Sequence, residues 1–209
     1  MTALNSWALT TLADVKESLS IDAGNTTKDN LIKRKINQAT DMIESYCNLN
    51  NDHHFAATTY TNEEYDGSGT NQLSLRARPV ITFTSLEQRN TTQNISSWTT
   101  LASQDYFVDN AAGVIDAVIG FFYNWNLYRV TYSAGFNTIP SDLAEACATL
   151  AAFMVENGTT GVAVKRKDQG PKSIEYFQPM QGGSLIENLG LDDVLARYTN
   201  LPPHQIYQI

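Results

Sequence analysis

The chain has 209 residues, of which 42 % are hydrophobic and only 17 % charged, and its formal net charge is −8. That length and apolar content suit one domain, or one core domain with a sizeable insertion. The acidic balance excludes a protein that grips duplex DNA, because such binding depends on Lys and Arg neutralising phosphates, but it suits an acidic wall that DNA slides past.

A short helix is expected first, over residues 11–20. Thr11 caps it, Asp14 closes the capping box three residues on, and Leu12, Val15 and Leu19 form its apolar stripe. A second helix spans residues 29–47, with Thr26 and Asp29 repeating the capping pattern. Ile32, Ile36, Ala39, Ile43 and Tyr46 recur there at spacings of four and three, which puts them on one face, with Lys33, Arg34, Lys35, Asp41 and Glu44 mostly elsewhere. From residue 58 to residue 135 the period becomes two. Leu73 and Leu75, Ile81 and Phe83, and Tyr128, Val130 and Tyr132 each alternate with polar neighbours. Asp66-Gly67-Ser68-Gly69 reads as a hairpin turn, and Asn110-Ala111-Ala112-Gly113 supplies a second turn. A third helix follows over residues 142–156. Pro140 stops the strands, Ser141 serves as N-cap, and Leu143, Ala146, Cys147, Leu150, Phe153 and Met154 form a broad apolar face. Beyond it the pattern loosens: a strand over residues 173–177, a short helix over residues 191–198, and a tail. The class is therefore α+β, a small helical bundle with an antiparallel β insertion and an extended C-terminal tail. Residues 1–57 and 136–160 form the helical core, residues 58–135 the β insertion, and residues 161–209 the closing strand, short helix and docking tail.

Little in the sequence points to catalysis or to a metal. His53 and His54 adjoin Asp52, and neighbouring residues on regular structure do not face one metal, so a solvated turn is expected there. Glu63 and Glu64 would point to opposite faces of a strand. Gly67-Ser68-Gly69 lacks the third glycine and the following helix of a nucleotide fingerprint. No nucleophile elbow, Walker lysine or zinc-type Cys pair is present, so no catalytic residue, metal or cofactor is expected. Cys47 and Cys147, widely spaced and at apolar helix positions, read as buried free thiols. The longest apolar stretch, residues 113–122, is interrupted by Asp116 and too short for a bilayer, and Met1-Thr2-Ala3-Leu4-Asn5 has no signal-peptide character. Two features invite contact with other molecules. One is the basic cluster Lys165-Arg166-Lys167. The other is the tail, where Leu201, Ile206, Tyr207 and Ile209 are apolar for a terminus and Pro202-Pro203 favours an extended chain. Such a tail docks either on its own domain or on another subunit.

The order of these elements resembles the head–tail connector (adaptor) proteins of tailed bacteriophages. The resemblance runs through Leu9 to Lys16, the helix ending Tyr46-Cys47, Tyr65-Asp66-Gly67-Ser68-Gly69 with Leu73-Ser74-Leu75 and Arg78-Pro79-Val80. It is best in Val130-Thr131-Tyr132-Ser133-Ala134-Gly135-Phe136 followed by Ile139-Pro140-Ser141-Asp142-Leu143, and it closes with Val194-Leu195-Ala196-Arg197-Tyr198. It implies a structural, non-enzymatic subunit made in the host bacterial cytoplasm and built into the virion at the head–tail interface. Such subunits form a ring, commonly of roughly twelve copies, since a heterologous interface closes on itself. The ring sits below the portal protein, extends the DNA channel without reading sequence, and receives a downstream tail or stopper protein. No membrane is involved. Lys165, Arg166, Lys167, Tyr198, Leu201, Pro202, Pro203, Ile206, Tyr207 and Ile209 are the residues expected to dock on the portal or on a neighbouring copy, and the resemblance implies a C-terminus that faces the portal. The competing reading is a carbohydrate- or surface-binding β module of a fibre or baseplate, which would use exposed aromatics among Tyr123, Trp125 and Tyr128.

Overall fold

A computed structural model of the chain describes residues 2–49, 53–90, 97–120, 122–123, 125–157, 167–169, 172–174 and 185–199. The described residues up to Asn48 and from Ile139 to Thr199 build a helical unit, and those of 49–138 build a β unit.

In the helical unit, α1 (Leu12–Ser18) begins with the expected capping box. The Thr11 hydroxyl accepts from the Asp14 N–H at 3.2 Å while Asp14 accepts from the Thr11 N–H at 3.1 Å. The cap expected on α2 (Asp29–Tyr46) is absent. The helix starts after Lys28 with no side-chain cap, so Thr26 lies too far back to reach the first free N–H groups. Asp29 instead pairs with the buried Lys16 ammonium of α1 at 2.7 Å, and this ion pair ties the two helices at their start. α3 (Ser141–Asn157) begins one residue earlier than a Ser141 cap allows, because the Pro140 carbonyl already accepts from the Ala144 N–H.

The three helices pack on one another around Val15, Ile32, Ile36, Ile43, Leu143 and Leu150, none of them exposed. Phe153, expected inside, is half-buried, and Glu44, expected outside, is buried. Shortening Ile36 to Ala removes three carbons from a site with no exposed surface. The variant should lose roughly 2–5 kcal/mol in chemical denaturation; a loss under about 1 kcal/mol would contradict the packing. After α3 come β8 (Lys167–Gln169) and β9 (Lys172–Ile174), which pair antiparallel, so part of the strand expected over 173–177 is present. α4 (Leu185–Asn188) has no counterpart in the sequence reading. α5 (Asp192–Leu195) runs into a 3-10 turn, Ala196–Tyr198, and its Leu195 is fully buried. No helix among the described residues is long and apolar enough to cross a membrane.

The β unit holds two antiparallel sheets. One has the order β1 (Thr58–Asp66), β7 (Asn126–Ala134), β3 (Val80–Asn90) and β4 (Thr99–Thr100). The other has the order β2 (Gln72–Ser74), β6 (Val114–Ala117) and β5 (Tyr106–Asp109). Both contribute to a single core that includes Tyr60, Tyr65, Leu73, Leu86, Ile115, Tyr128, Val130 and Tyr132. Every inter-strand pairing within these sheets is antiparallel, as an α+β chain requires.

The Asp66 to Gly69 turn is not a hairpin. β1 pairs with β7 and β2 pairs with β6, so this turn carries the chain from one sheet to the other. Its glycine is required by packing: a Cβ on Gly67 would lie 1.9 Å from the Tyr123 carbonyl oxygen. The second turn does join paired strands, β5 and β6, with Gly113 at φ +66°. At the end of β7, Gly135 has φ +107° and would set a Cβ 2.7 Å from the Phe55 carbonyl oxygen, which explains the glycine in the Tyr132-Ser133-Ala134-Gly135 turn.

Candidate assembly site

A dense polar cluster in the β unit is built by a bulge. β1 starts with Tyr60 facing inward, and its register against β7 slips between Tyr60 and Glu63, with Asn62 at φ +55°. The extra residue inverts the alternation, so Glu63 and Tyr65 turn inward and Glu64 is exposed. The Glu63 carboxylate then accepts from His53 Nε2 at 2.7 Å, Tyr65 OH at 2.5 Å, Tyr132 OH at 2.7 Å and Arg76 Nη1 at 2.9 Å. The two phenols touch each other at 3.0 Å and accept from the backbone N–H groups of Arg76 and Ala77. His53 is therefore not in a solvated turn. It is buried and stacks on Tyr60 with ring centroids 5.0 Å apart. Its distance from Glu63 in sequence hid the contact, because only the bulge brings the carboxylate to it.

Burial by itself would raise the Glu63 carboxyl, but the hydrogen bonds from His53, Tyr65, Tyr132 and Arg76 outweigh it and hold the group down to about 2. Burial, and after it the neighbouring Glu63 charge, push Tyr65 well up. Tyr132 moves the same way, from burial and from its contacts with Tyr65 and Glu63. The carboxylate thus stays charged and both phenols stay protonated at neutral pH. The cluster works as a staple joining β1, β7, the segment after β2 and the chain at His53. Among the described residues no group of three or more His, Cys, Asp or Glu side chains is placed to hold a metal.

In the helical unit the chain after α5 is tied down. Tyr198 OH donates to the Asp142 carboxylate at 2.6 Å, and Arg197 pairs with the same side chain at 3.4 Å. The Cys47 thiol lies 3.7 Å from the Leu195 carbonyl oxygen. Burial pushes both Cys47 and Cys147 up to about 12, so both are free, buried and protonated.

The exposed large apolar side chains of the described residues all belong to the β unit: Phe107, Val118, Ile119, Tyr123 and Trp125. Ile119 is 91 % exposed. Tyr123 and Trp125 stack with centroids 4.7 Å apart. Tyr128, grouped with them in the carbohydrate-binding reading, is buried and meets Phe122 edge-on at 5.1 Å. Of the three aromatics named for that reading, Tyr123 and Trp125 are therefore the exposed ones.

Residues 8–163 match the head completion protein family, a span that takes in α1, α2, the whole β unit and α3. The chain belongs to the head completion protein family. Its fold is shared with proteins of gene transfer agent (GTA) particles. A chain from the virion of a native GTA particle aligns with a TM-score of 0.60 at 16 % identity, covering 97 % of this chain and 94 % of that one. A chain from the neck of an empty GTA particle, computed with C6 symmetry, aligns at 0.58 and 17 % identity with the same coverage. A third, from the neck of a native GTA particle computed with C12 symmetry, aligns at 0.53 and 18 % identity, again with that coverage. A comparison with curated proteins gave no match.

Family membership makes the protein a head–tail connector and a component of virion assembly, and its role in outline is structural. The matched span ends at residue 163, two residues before the first of the docking residues read from the sequence. Of those, Lys165, Arg166, Leu201, Pro202, Pro203, Ile206, Tyr207 and Ile209 lie outside the described residues. Lys167 begins β8. Tyr198 is half-buried against Asp142, and among the described residues 185–199 pack on the bundle through Ile186, Leu195 and Tyr198. The sequence reading missed the Glu63 staple and the exposed Phe107, Val118 and Ile119. For Val118 and Ile119, the apolar run that follows β6 up to Gly120 was the available signal.

Proposed function

We propose that this protein is a ring-forming subunit of the virion neck that sits below the portal protein, extends the DNA channel and presents a surface to the next tail or stopper protein. The observation that carries this reading is the family match along α1, α2, the β unit and α3. The fold shared with GTA neck chains solved under C6 and C12 symmetry supports a ring. Contacts between copies are heterologous, as closure around a channel demands. The net charge of −8 suits a channel that DNA traverses without being held. The subunit acts by shape and contact and catalyses no reaction. It is made in the host bacterial cytoplasm and resides in the virion. Lys165, Arg166, Lys167, Tyr198, Leu201, Pro202, Pro203, Ile206, Tyr207 and Ile209 dock on another subunit of the neck, the portal or a neighbouring copy, once assembly begins.

Negative-stain images of the purified chain mixed with portal complexes test this. Rings stacked coaxially on the portal are the expected result. Particles in which the protein decorates a fibre or baseplate, with bare portals, would overturn it in favour of a surface-binding module.

A further inference from the structure

The four-stranded sheet of the β unit carries a cationic pair on its outer face that neither the Glu63 staple nor the apolar core uses. Glu87 and Arg129 are register partners on β3 and β7, and Arg89 lies two residues further along β3, so all three project from one face. The pairing of Gln88 with Thr99 brings the preceding Trp98 alongside Arg89. The Arg89 guanidinium lies over the Trp98 ring, 4.8 Å from its centre, and the Arg129 guanidinium lies over the same ring at 4.6 Å. Glu87 accepts from Arg129 Nε and, at 3.4 Å, from the Thr100 hydroxyl. The Arg89 guanidinium and the two terminal nitrogens of Arg129 have no hydrogen-bond acceptor among the described residues.

Stacking on one indole orients both guanidinium planes and leaves N–H edges unused, and such edges match the paired oxygens of a phosphate. Residues 49–138 hold four arginines and no lysine, so the cations here are all of the kind that takes oxyanions in a fork. The face beside them is small and polar. Ser85 on β3 and Thr131 and Ser133 on β7 lie on the same side as the two arginines. Arginines with hydroxyl side chains are the groups that meet the phosphate and sugar backbone of DNA. Glu64 and Asp66 are exposed on β1, across β7 from Glu87 and Arg89. These carboxylates repel a polyanion, which confines it to the β3 and β4 side and keeps the contact weak.

We propose that the face at Arg89, Trp98 and Arg129 takes phosphate groups of duplex DNA, one on each arginine, without reading base sequence. In the ring it is the part of each subunit that meets the passing DNA. Two phosphate contacts on a chain of net charge −8 are too few to hold DNA and enough to guide it. The place in the channel rests on the function proposed above; the phosphate contact belongs to the free subunit and stands without the ring.

The test uses the full chain, labelled for NMR and titrated at low salt with a short DNA duplex. The Trp98 indole and the Arg89 and Arg129 Nε–H signals should move together, and equally for duplexes of unrelated sequence. The binding constant should fall with salt at a logarithmic slope of about −1.8, the value for two phosphates, so a fourfold rise in salt weakens binding roughly twelvefold. Among the described residues Arg89 touches Trp98 alone, so Arg89→Gln should leave the Val130 and Tyr132 amides in place and bring the slope to about −0.9. A Trp98 indole and arginine signals indifferent to the duplex would overturn the proposal, as would shifts that appear at Lys33 and Arg34 of α2 instead. So would a glutamate-rich peptide of equal charge that moves the same signals at lower concentration than the duplex, because the face would then serve an acidic protein. Rings that still stack on portals beside a silent Trp98 would sink this contact and leave the neck role standing.

Discussion

A chain ending at Thr199 should fold as the full chain does and fail to join heads to tails. The buried residues described in both cores all precede the last ten residues. The helical unit closes on Leu195 and Tyr198, and the β unit closes on strands that end at Ala134. The truncated protein should therefore keep its circular dichroism spectrum and a cooperative thermal transition. What it loses is Leu201, Ile206, Tyr207 and Ile209. Burying such a side chain in an interface is worth about 1.5–3 kcal/mol, and every 1.4 kcal/mol is about tenfold in a binding constant. Losing three or four of them should weaken docking by roughly a thousandfold or more, enough to abolish attachment at the concentrations of an assembly reaction. Counting tailed particles after mixing DNA-filled heads with the truncated chain measures this. Wild-type numbers of tailed particles would remove the tail from any docking role.

The second large effect is expected at Glu63. Replacing it by Ala leaves the His53 ring, the Tyr65 and Tyr132 hydroxyls and the Arg76 guanidinium without their shared acceptor. Breaking a buried charged pair by removing one partner costs about 3–5 kcal/mol. The backbone bonds to the phenols remain and the Arg76 side chain is 43 % exposed, so the lower end of that range, about 3 kcal/mol, is expected.

The same group sets a pH dependence whose sign follows from its depressed value. Its ordinary value is 4.5 and its folded value about 2, so the contribution is fully present above 4.5 and disappears as pH falls from there to about 2. With part of the cluster open to water at Arg76, the loss should be on the order of 2 kcal/mol. Denaturation midpoints of the wild type and of Glu63→Gln, taken from pH 7 to pH 2, check both points. The wild type should lose stability through that window, and the variant, weaker at neutral pH, should lose much less. Parallel curves would mean that Glu63 is not what acid attacks.

How much of this could be read from the residues depends on how local each signal is. The Thr11–Asp14 capping box, the apolar face of α2 and the alternation of Tyr128, Val130 and Tyr132 are properties of a single element. Each reappears in the structure as the sequence implies. The order of elements from α1 to α3 was enough to suggest the connector family, and the family match covers that stretch. The apolar terminus was legible in the same way, as composition.

The failures share one cause. Glu63 and Glu64 do take opposite faces, but which of them turns inward is reversed by a single extra residue at Asn62. With that reversal His53 passes from a solvent-facing turn to a buried partner. Asp66 to Gly69 has hairpin chemistry, yet the chain there crosses between sheets because β7, more than sixty residues away, pairs with β1 and leaves β2 to β6. Thr26 and Asp29 spell a cap, but the Lys16 ammonium claims Asp29. Tyr123, Trp125 and Tyr128 look equivalent as letters, and only the Phe122 ring and the core around it separate the buried one from the exposed pair. The Thr11 cap and the apolar stripe of α2 are decided within about one turn of chain, so the sequence carries them. Bulge phase, strand partner and the burial of one aromatic rather than another are decided by residues dozens of positions away, and those meet only once the sheets have closed.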